Sequence, residues 1–175
     1  AQAGQAGLKV LLIDHAEKVA EKIRISGGGR CNFTNRDLDV RAPHKHYVGQ
    51  NPQFCRSALS RYTPADFMAL LDRHGIAYEE KHKGQLFAST SAEDIIRMLL
   101  AECATGQVEH WQPCAVKKIS FLPSSADTAS AGSYEISTDR GVVRAPRLVL
   151  ATGGLSIPKI GATDFGYRIA QQFQL

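Results

Sequence analysis

The sequence predicts an α/β fold in which a parallel sheet carries an antiparallel side sheet. Three observations predict it. Short, almost continuous apolar runs at residues 8–13 and 148–151 have the length and β-branching of buried parallel strands. Segments of helical period lie between them, at about residues 51–104. Residues of about 115–145 form three extended runs separated by turn signals, which read as an antiparallel meander. Strands alternating with helices, plus a meander, make an α/β architecture.

The elements follow in order. Residues 1–7 are small and read as the tail of a helix packed closely on the sheet, cut off from whatever precedes it. They contain no initiator Met, basic n-region or long apolar run, so they are not a secretory signal. Residues 8–13 form the first strand and end at Asp14. A helix feeding a strand is half of a βαβ unit, here without its first strand. Residues 15–24 are charged and read as loop or a short helical turn. A glycine-rich loop follows at 25–35, then an irregular excursion at 36–50 containing Pro43. Asn51-Pro52 opens a helix on which Phe54, Ala58, Leu59 and Tyr62 repeat at helical spacing. Thr63 caps the next helix, with Phe67, Leu70 and Leu71 inside and Gly75 at its end.

Residues 76–79 and 84–88 are short extended pieces. Ser91-Ala-Glu-Asp94 opens a helix through Cys103, with Ile95, Ile96, Leu99 and Leu100 facing the core. Residues 108–111 read as a strand. The meander runs through 116–122, 134–138 and 142–144, with the Ser/Ala-rich stretch 123–132 as its polar loop. Residues 148–151 form another buried strand ending in Thr152-Gly153-Gly154, and 165–173 a final helix. No internal repeat occurs.

Composition narrows the class. The 175 residues fit one domain or most of one, and 43% hydrophobic with 22% charged residues is ordinary for a globular core. No window of 18 or more apolar residues exists, so no transmembrane span is expected. The net charge of +4 suits a solvated surface first, and attraction to the phosphates of a cofactor or RNA second. Cys31, Cys55, Cys103 and Cys114 form no Cys-x-x-Cys pair, and the histidines complete no zinc spacing, so no metal site is assigned. A reduced, cytoplasmic chain is the default. Most of these cysteines read as small core residues, and Cys31 stands apart because it sits inside the glycine loop.

Three places carry chemistry. Asp14 ends a predicted parallel strand, where a dinucleotide fold places the acid that accepts hydrogen bonds from a ribose hydroxyl; an ordinary strand-end Asp in a turn is the plainer reading. The Gly-x-Gly-x-x-Gly that should precede it is absent, and Gly4 and Gly7 do not supply it. The triplet Gly27-Gly28-Gly29 removes every Cβ from one stretch of backbone, permits positive φ and lets a flat ring or pyrophosphate approach closely. Arg30 adds a charge with bidentate reach, and Ser26, Asn32 and Thr34 add short polar groups. A flexible surface loop is the alternative there, but linkers rarely carry Arg-Cys-Asn-Phe-Thr-Asn after their glycines. Thr152-Gly153-Gly154 is a second glycine turn at a predicted strand end, where ligands of α/β sheets sit. No Ser/His/Asp triad, carboxylate dyad or Walker lysine is present. His15, His44 and His46 are candidates for proton transfer, yet lone histidines are more often structural. The catalytic residues therefore stay unassigned, which fits chemistry delegated to a cofactor.

Ile25-Ser-Gly-Gly-Gly-Arg-Cys-Asn-Phe-Thr-Asn35 together with Leu150-Ala-Thr-Gly-Gly-Leu-Ser-Ile-Pro158 resembles the BaiN/YhiN-like flavoproteins, also called aminoacetone oxidase family FAD-binding enzymes or NAD(P)/FAD-dependent oxidoreductases. Residues 8–14, 51–59 and 166–170 fall where such a protein has them, so the resemblance covers essentially the whole chain. It implies an FAD domain of the glutathione-reductase type. Carried over by position, Asp14 would hold the adenosine ribose, and Lys22 and Arg30 would lie near the pyrophosphate or flavin. Ser26, Gly27, Gly28, Gly29, Arg30, Cys31 and Asn32 would wrap the cofactor. Val116 would offer its backbone to adenine, and Thr152, Gly153 and Gly154 would approach the cofactor again.

Departures from the pattern shape the expectation. Relatives of this kind begin with a strand and Gly-x-Gly-x-x-Gly and continue into an inserted domain; neither lies within residues 1–175, which read as a partial FAD-binding domain truncated at both ends. Where some relatives have Thr-Gly-Asp-Gly-Tyr, this chain has Thr163-Asp-Phe-Gly-Tyr167, so a carboxylate role at Phe165 is lost. The leading expectation is part of an FAD-dependent oxidoreductase transferring hydride or electrons between NAD(P)H and an unidentified substrate, either a small molecule or RNA. The alternatives are a flavin-dependent reductase of a base in RNA, and a non-catalytic remnant. No membrane partner is expected, and oligomeric state is left open.

Overall fold

The computed structural model describes residues 1–124 and 132–175, apart from the side chain of His44. The polar loop expected at 123–132 therefore falls largely outside the described residues. In chain order the elements are α1 (Gln2–Gln5), β1 (Leu11–Ile13), α2 (Glu21–Ile25), β2 (Asn32–Asn35), α3 (Arg56–Arg61), α4 (Pro64–Arg73), β3 (Tyr78–Glu80), β4 (Gln85–Ala88), α5 (Ala92–Thr105), β5 (Glu109–Trp111), β6 (Val116–Leu122), β7 (Ser133–Thr138), β8 (Gly141–Ala145) and α6 (Phe165–Gln172). The chain divides into two compact units: Ala1–Leu8 with Ala20–Gln107, and Lys9–Val19 with Val108–Leu175. Among the described residues no helix is long and apolar enough to cross a membrane.

The first unit packs α4 and α5 against a three-stranded antiparallel sheet of order β2-β4-β3. Helix α4 starts where expected, because Thr63 and Asp66 form a reciprocal capping box and Pro64 occupies the first turn. Ser91 caps α5 by accepting from the Glu93 N–H at 3.1 Å. Leu70, Leu71, Ala88, Ala92, Ile95 and Met98 form the core, with Cys31 among them. Leu100 is expected inside but is 38% exposed, whereas Met98 is buried: the buried stripe of α5 runs through Ala92 and Ile95, and Met98, three residues after Ile95, shares that face while Leu100, five residues after it, turns away.

Several boundaries differ from expectation. The helix expected from Asn51-Pro52 begins only at Arg56, after a turn in which the Phe54 N–H donates to the Asn51 carbonyl. Phe54 consequently stands in solvent, 86% exposed, instead of on an inner face. The second half of the glycine-rich segment is strand β2, antiparallel to β4, not loop. Helix α1 packs on the end of α5 and not on a sheet: a Cβ at Gly4 would fall 2.1 Å from the Gly106 carbonyl oxygen.

The second unit holds a parallel pair, β1 and β5, with Ile13 opposite Trp111, and the meander β6-β7-β8. Ile119 and Ile136 meet Ile169 of α6 in its core, with Ile13 and Leu148 packed alongside. The apolar run at 8–13 forms only a three-residue strand, and its Leu12 is 42% exposed. The buried strand expected at 148–151 is absent. Those residues join no ladder, and Val149 is 84% exposed. A strand takes its hydrogen bonds from neighbouring strands, and here the parallel sheet comprises β1 and β5 alone.

Candidate functional site

The glycine-rich loop belongs to the first unit and lies between α2 and β2, so it follows a helix and not a strand end. Helix α2 is tied to α5 by the ion pair of Arg24 with Glu93. Ser26–Gly28 then makes one tight turn. Gly27, Gly28 and Gly29 have φ of 58°, 67° and 84°, all left-handed, which explains why three glycines stand together. They serve different ends. A Cβ at Gly27 would lie 2.6 Å from the Phe87 ring, so that glycine is needed for packing. A Cβ at Gly28 or Gly29 would meet nothing within 4 Å, so those two present bare backbone to open space.

The loop is held firmly. The Gly29 carbonyl accepts from the Ala92 N–H at 2.8 Å, and the Arg30 carbonyl from the Ala88 N–H at 2.9 Å. The N–H groups of Gly29 and Cys31 both donate to the Ser26 carbonyl, at 3.1 and 3.0 Å. The loop thus offers bare backbone at Gly28 and Gly29, while the Gly29 and Cys31 amides are already engaged. Arg30 pairs with Glu79 of β3 at 2.5 Å, which fixes its guanidinium. Cys31, at φ 53°, is 5% exposed, and burial pushes its thiol above the usual range against a smaller opposing effect of its hydrogen bond with Ser26. It is a core residue at neutral pH and a poor nucleophile. Asn32 is exposed at the start of β2, and Lys22 is exposed on α2.

Strand β2 leads directly into a cleft of about 520 Å³ in the same unit. Phe33, Tyr47, Tyr62 and Phe67 supply aromatic walls, with Thr34 and His46 as polar groups. Phe33 and Phe67 pack tilted against each other with centroids 5.5 Å apart, and Tyr62 meets Phe67 edge-on at 6.3 Å. The Asp39 N–H donates to His46 Nε2 at 3.2 Å. Sequence reasoning missed this cleft, because residues 36–50 carry no periodicity. A signal was present nonetheless: residues 36–62 interleave Tyr47, Phe54 and Tyr62 with Arg36, Arg41, Lys45, Arg56 and Arg61, against only Asp37 and Asp39. His44, a proton-transfer candidate, lies outside the side chains described.

The remaining residues belong to the second unit. Asp14 directly follows β1 at the carboxyl end of the parallel pair. Its N–H donates to the Trp111 carbonyl at 3.0 Å and its carbonyl accepts from the Cys114 N–H at 2.8 Å. Its carboxylate Oδ1 accepts from the Ala16 N–H at 2.9 Å. His15 reaches the Gly161 carbonyl through Nε2 at 3.1 Å, a structural contact. Val116 opens β6 beside an irregularity in the ladder between Val116 and Lys118, which loosens the pairing there. Thr152-Gly153-Gly154 is not the end of a ladder-paired strand. It packs at the start of α6, where a Cβ at Gly166 would fall 2.5 Å from Thr152 Oγ1, and Gly153 has φ 72°. The structure thus gathers Lys22 and residues 26–32 in one unit, and Asp14, Val116 and residues 152–154 in the other.

A parallel strand pair ending in an acidic residue, with helices and an antiparallel meander, is an α/β arrangement. The chain belongs to the HI0933-like protein Rossmann domain family, which matches residues 1–175. The ribosomal RNA dihydrouridine synthase of Escherichia coli (strain K12) is 46% identical over 175 residues, covering 100% of this chain and 41% of that protein. The ribosomal RNA dihydrouridine synthase of Haemophilus influenzae is 39% identical over 173 residues, covering 99% and 41%. The 3-dehydro-bile acid delta(4,6)-reductase of Clostridium scindens is 24% identical over 164 residues, covering 93% and 37%. The chain therefore spans about two fifths of these relatives' length.

Proposed function

We propose that this chain is part of an FAD-dependent oxidoreductase that reduces a base in RNA, with NAD(P)H as the electron donor. The observation that carries the reading is the 46% identity, along the whole chain, to a protein named ribosomal RNA dihydrouridine synthase. The residues present fit a flavin dinucleotide. Gly28 and Gly29 leave bare backbone facing open space, where a Cβ would stand between the chain and a ligand, and Asp14 stands at the carboxyl end of a parallel strand. Asp14 binds a ribose hydroxyl through its carboxylate, already oriented by the Ala16 N–H. The bare faces of Gly28 and Gly29 let a planar ring or phosphate come close, with Ser26, Cys31 and Asn32 completing the loop. Arg30 keeps positive charge near the cofactor while Glu79 holds it in place. Lys22 adds a second cation. Val116 presents backbone groups to adenine, and Thr152, Gly153 and Gly154 give a further close approach. Bound FAD supplies the hydride chemistry.

In this reading residues 1–175 are a partial FAD domain of the glutathione-reductase type, with a helical excursion at about 51–104 and a meander at about 115–145. A small-molecule reading is the rival, and the Clostridium scindens relative, named as a bile acid reductase, favours it. The aminoacetone oxidase label has no counterpart among these relatives' names.

The test is a flavin spectrum of the purified whole protein, followed by reduction of unmodified ribosomal RNA with NADH or NADPH. Yellow protein that forms dihydrouridine supports the reading. Asp14→Ala removes a hydrogen bond to a charged group, about 1.5–3 kcal/mol, and should weaken FAD binding at least tenfold. A colourless protein that ignores added FAD would refute the flavin reading and leave a non-catalytic module. A yellow protein that reduces an enone but no RNA would move the substrate to the small-molecule class.

A further inference from the structure

We propose that the cleft of the first unit receives an unpaired uracil-type base of RNA, with Arg41, Arg56 and Arg61 binding the phosphates that flank it. The inference deepens the RNA reading above and rests on it. A cleft of about 520 Å³ is within the range of small-ligand sites, about 300–1,000 Å³. Its aromatic walls suit a planar guest. Tyr47 and Tyr62 are 43% and 46% exposed, so their rings are open to a stacking partner while Phe33 and Phe67 are braced against each other behind.

The polar groups favour a base rich in carbonyl oxygens. His46 accepts the Asp39 N–H at Nε2, so its hydrogen sits on Nδ1, and the ring offers that N–H as a donor. Thr34 adds a hydroxyl. Asn35, also on the lining, is committed elsewhere: its amide donates to the Lys83 carbonyl at 2.8 Å and its oxygen accepts from the Asp37 N–H at 2.8 Å.

Charge completes the match. Residues 36–62 hold five arginine or lysine residues against two aspartates, a surplus of three in a chain whose net charge is +4. Arg36 is paired with Glu80 and Lys45 with Asp39, whereas Arg41, Arg56 and Arg61 form no ion pair among the described residues. All three are exposed, on the segments that line the cleft. Unpaired cations beside exposed aromatic rings are the combination by which proteins hold single-stranded nucleic acid.

The experiment measures binding of a fluorescent single-stranded oligouridine to the whole flavoprotein at low and moderate salt. Tyr47→Ala and Tyr62→Ala should each weaken binding by about 5- to 100-fold, whereas Tyr62→Phe keeps it, because stacking needs the ring and not the hydroxyl. Arg56→Ala with Arg61→Ala should weaken every sequence alike and flatten the salt dependence. Flavin content reports that each variant is folded. With the unaltered protein, a 4-thiouridine oligonucleotide should crosslink within residues 33–67. If the protein binds oligouridine but the variants bind equally well and the crosslinks fall elsewhere, the cleft assignment is overturned and the RNA reading survives. If the protein binds no RNA even at low salt, both fall.

Discussion

Gly27 sits so close to the ring of Phe87 that a Cβ there would stand 2.6 Å from a ring carbon and 2.9 Å from the Asn32 nitrogen. The contact locks the glycine loop onto strand β4, and it separates Gly27 from its neighbours. Gly27→Ala forces both a left-handed alanine and an overpacked contact, together about 2–5 kcal/mol. Gly28→Ala suffers only the conformational part, about 1–2 kcal/mol. Denaturation midpoints of the two variants should differ accordingly, and equal losses would show that the Phe87 contact contributes nothing.

Thr63 and Asp66 clamp the start of α4. The Thr63 N–H and hydroxyl both donate to Asp66 Oδ2 at 2.7 Å, and these bonds hold the Asp66 carboxyl below the usual carboxylate range. A depressed folded pKa stabilises the protein above the unfolded value, about 3.9, and that contribution fades as pH falls through the folded value. Melting temperature followed from pH 7 downward should therefore drop more steeply for the parent than for Asp66→Asn. Thr63→Ala should cost about 1 kcal/mol at neutral pH. Parallel acid profiles for parent and Asp66→Asn would count against the clamp.

Cys31 sits in the loop but faces the core. Burial raises its thiol, so its thiolate fraction at pH 8 is below that of an ordinary cysteine. A thiol reagent added to native protein should modify Cys55 and Cys103, which are partly exposed, well before Cys31 and Cys114, which are buried. Fast labelling of Cys31 would return it to the list of reactive groups.

Gly4 and Gly106 meet backbone to backbone, and Gln5 Nε2 adds a hydrogen bond of 2.7 Å to Glu102 Oε2 on α5. A Cβ at Gly4 would overlap the Gly106 carbonyl, which cannot swing away as a flexible side chain would. Gly4→Ala should detach α1 from α5, and the amides of Gln5 and Ala6 should then exchange with solvent much faster. Unchanged exchange would mean that α1 is not held by this contact.

The parts of the fold legible in sequence are those governed by local chemistry. Thr63-Pro64 and Ser91 mark helix starts because capping and proline geometry act within one turn. The meander is legible because alternation and turn residues act within a hairpin. The strand expected at 148–151 was misjudged for the opposite reason: apolar character is local, but a strand exists only beside a partner. The aromatic cleft was hidden because its walls come from β2, the excursion near Tyr47, and Tyr62 and Phe67, each unremarkable alone.

The sequence by itself determined the class of the fold, the family motif in the glycine loop, and the acid at the end of the first strand. Each depends on residue type at close spacing, where sterics and hydrogen bonding leave few options. Only the tertiary structure decided what those residues do within the loop. It assigned Gly27 to packing and left Gly28 and Gly29 bare, drew the Cys31 thiol into the core, and tied Arg30 to Glu79. Those outcomes depend on Phe87, Ala92 and Glu79, which lie about fifty to sixty residues away along the chain and are brought near only by burial of a common core.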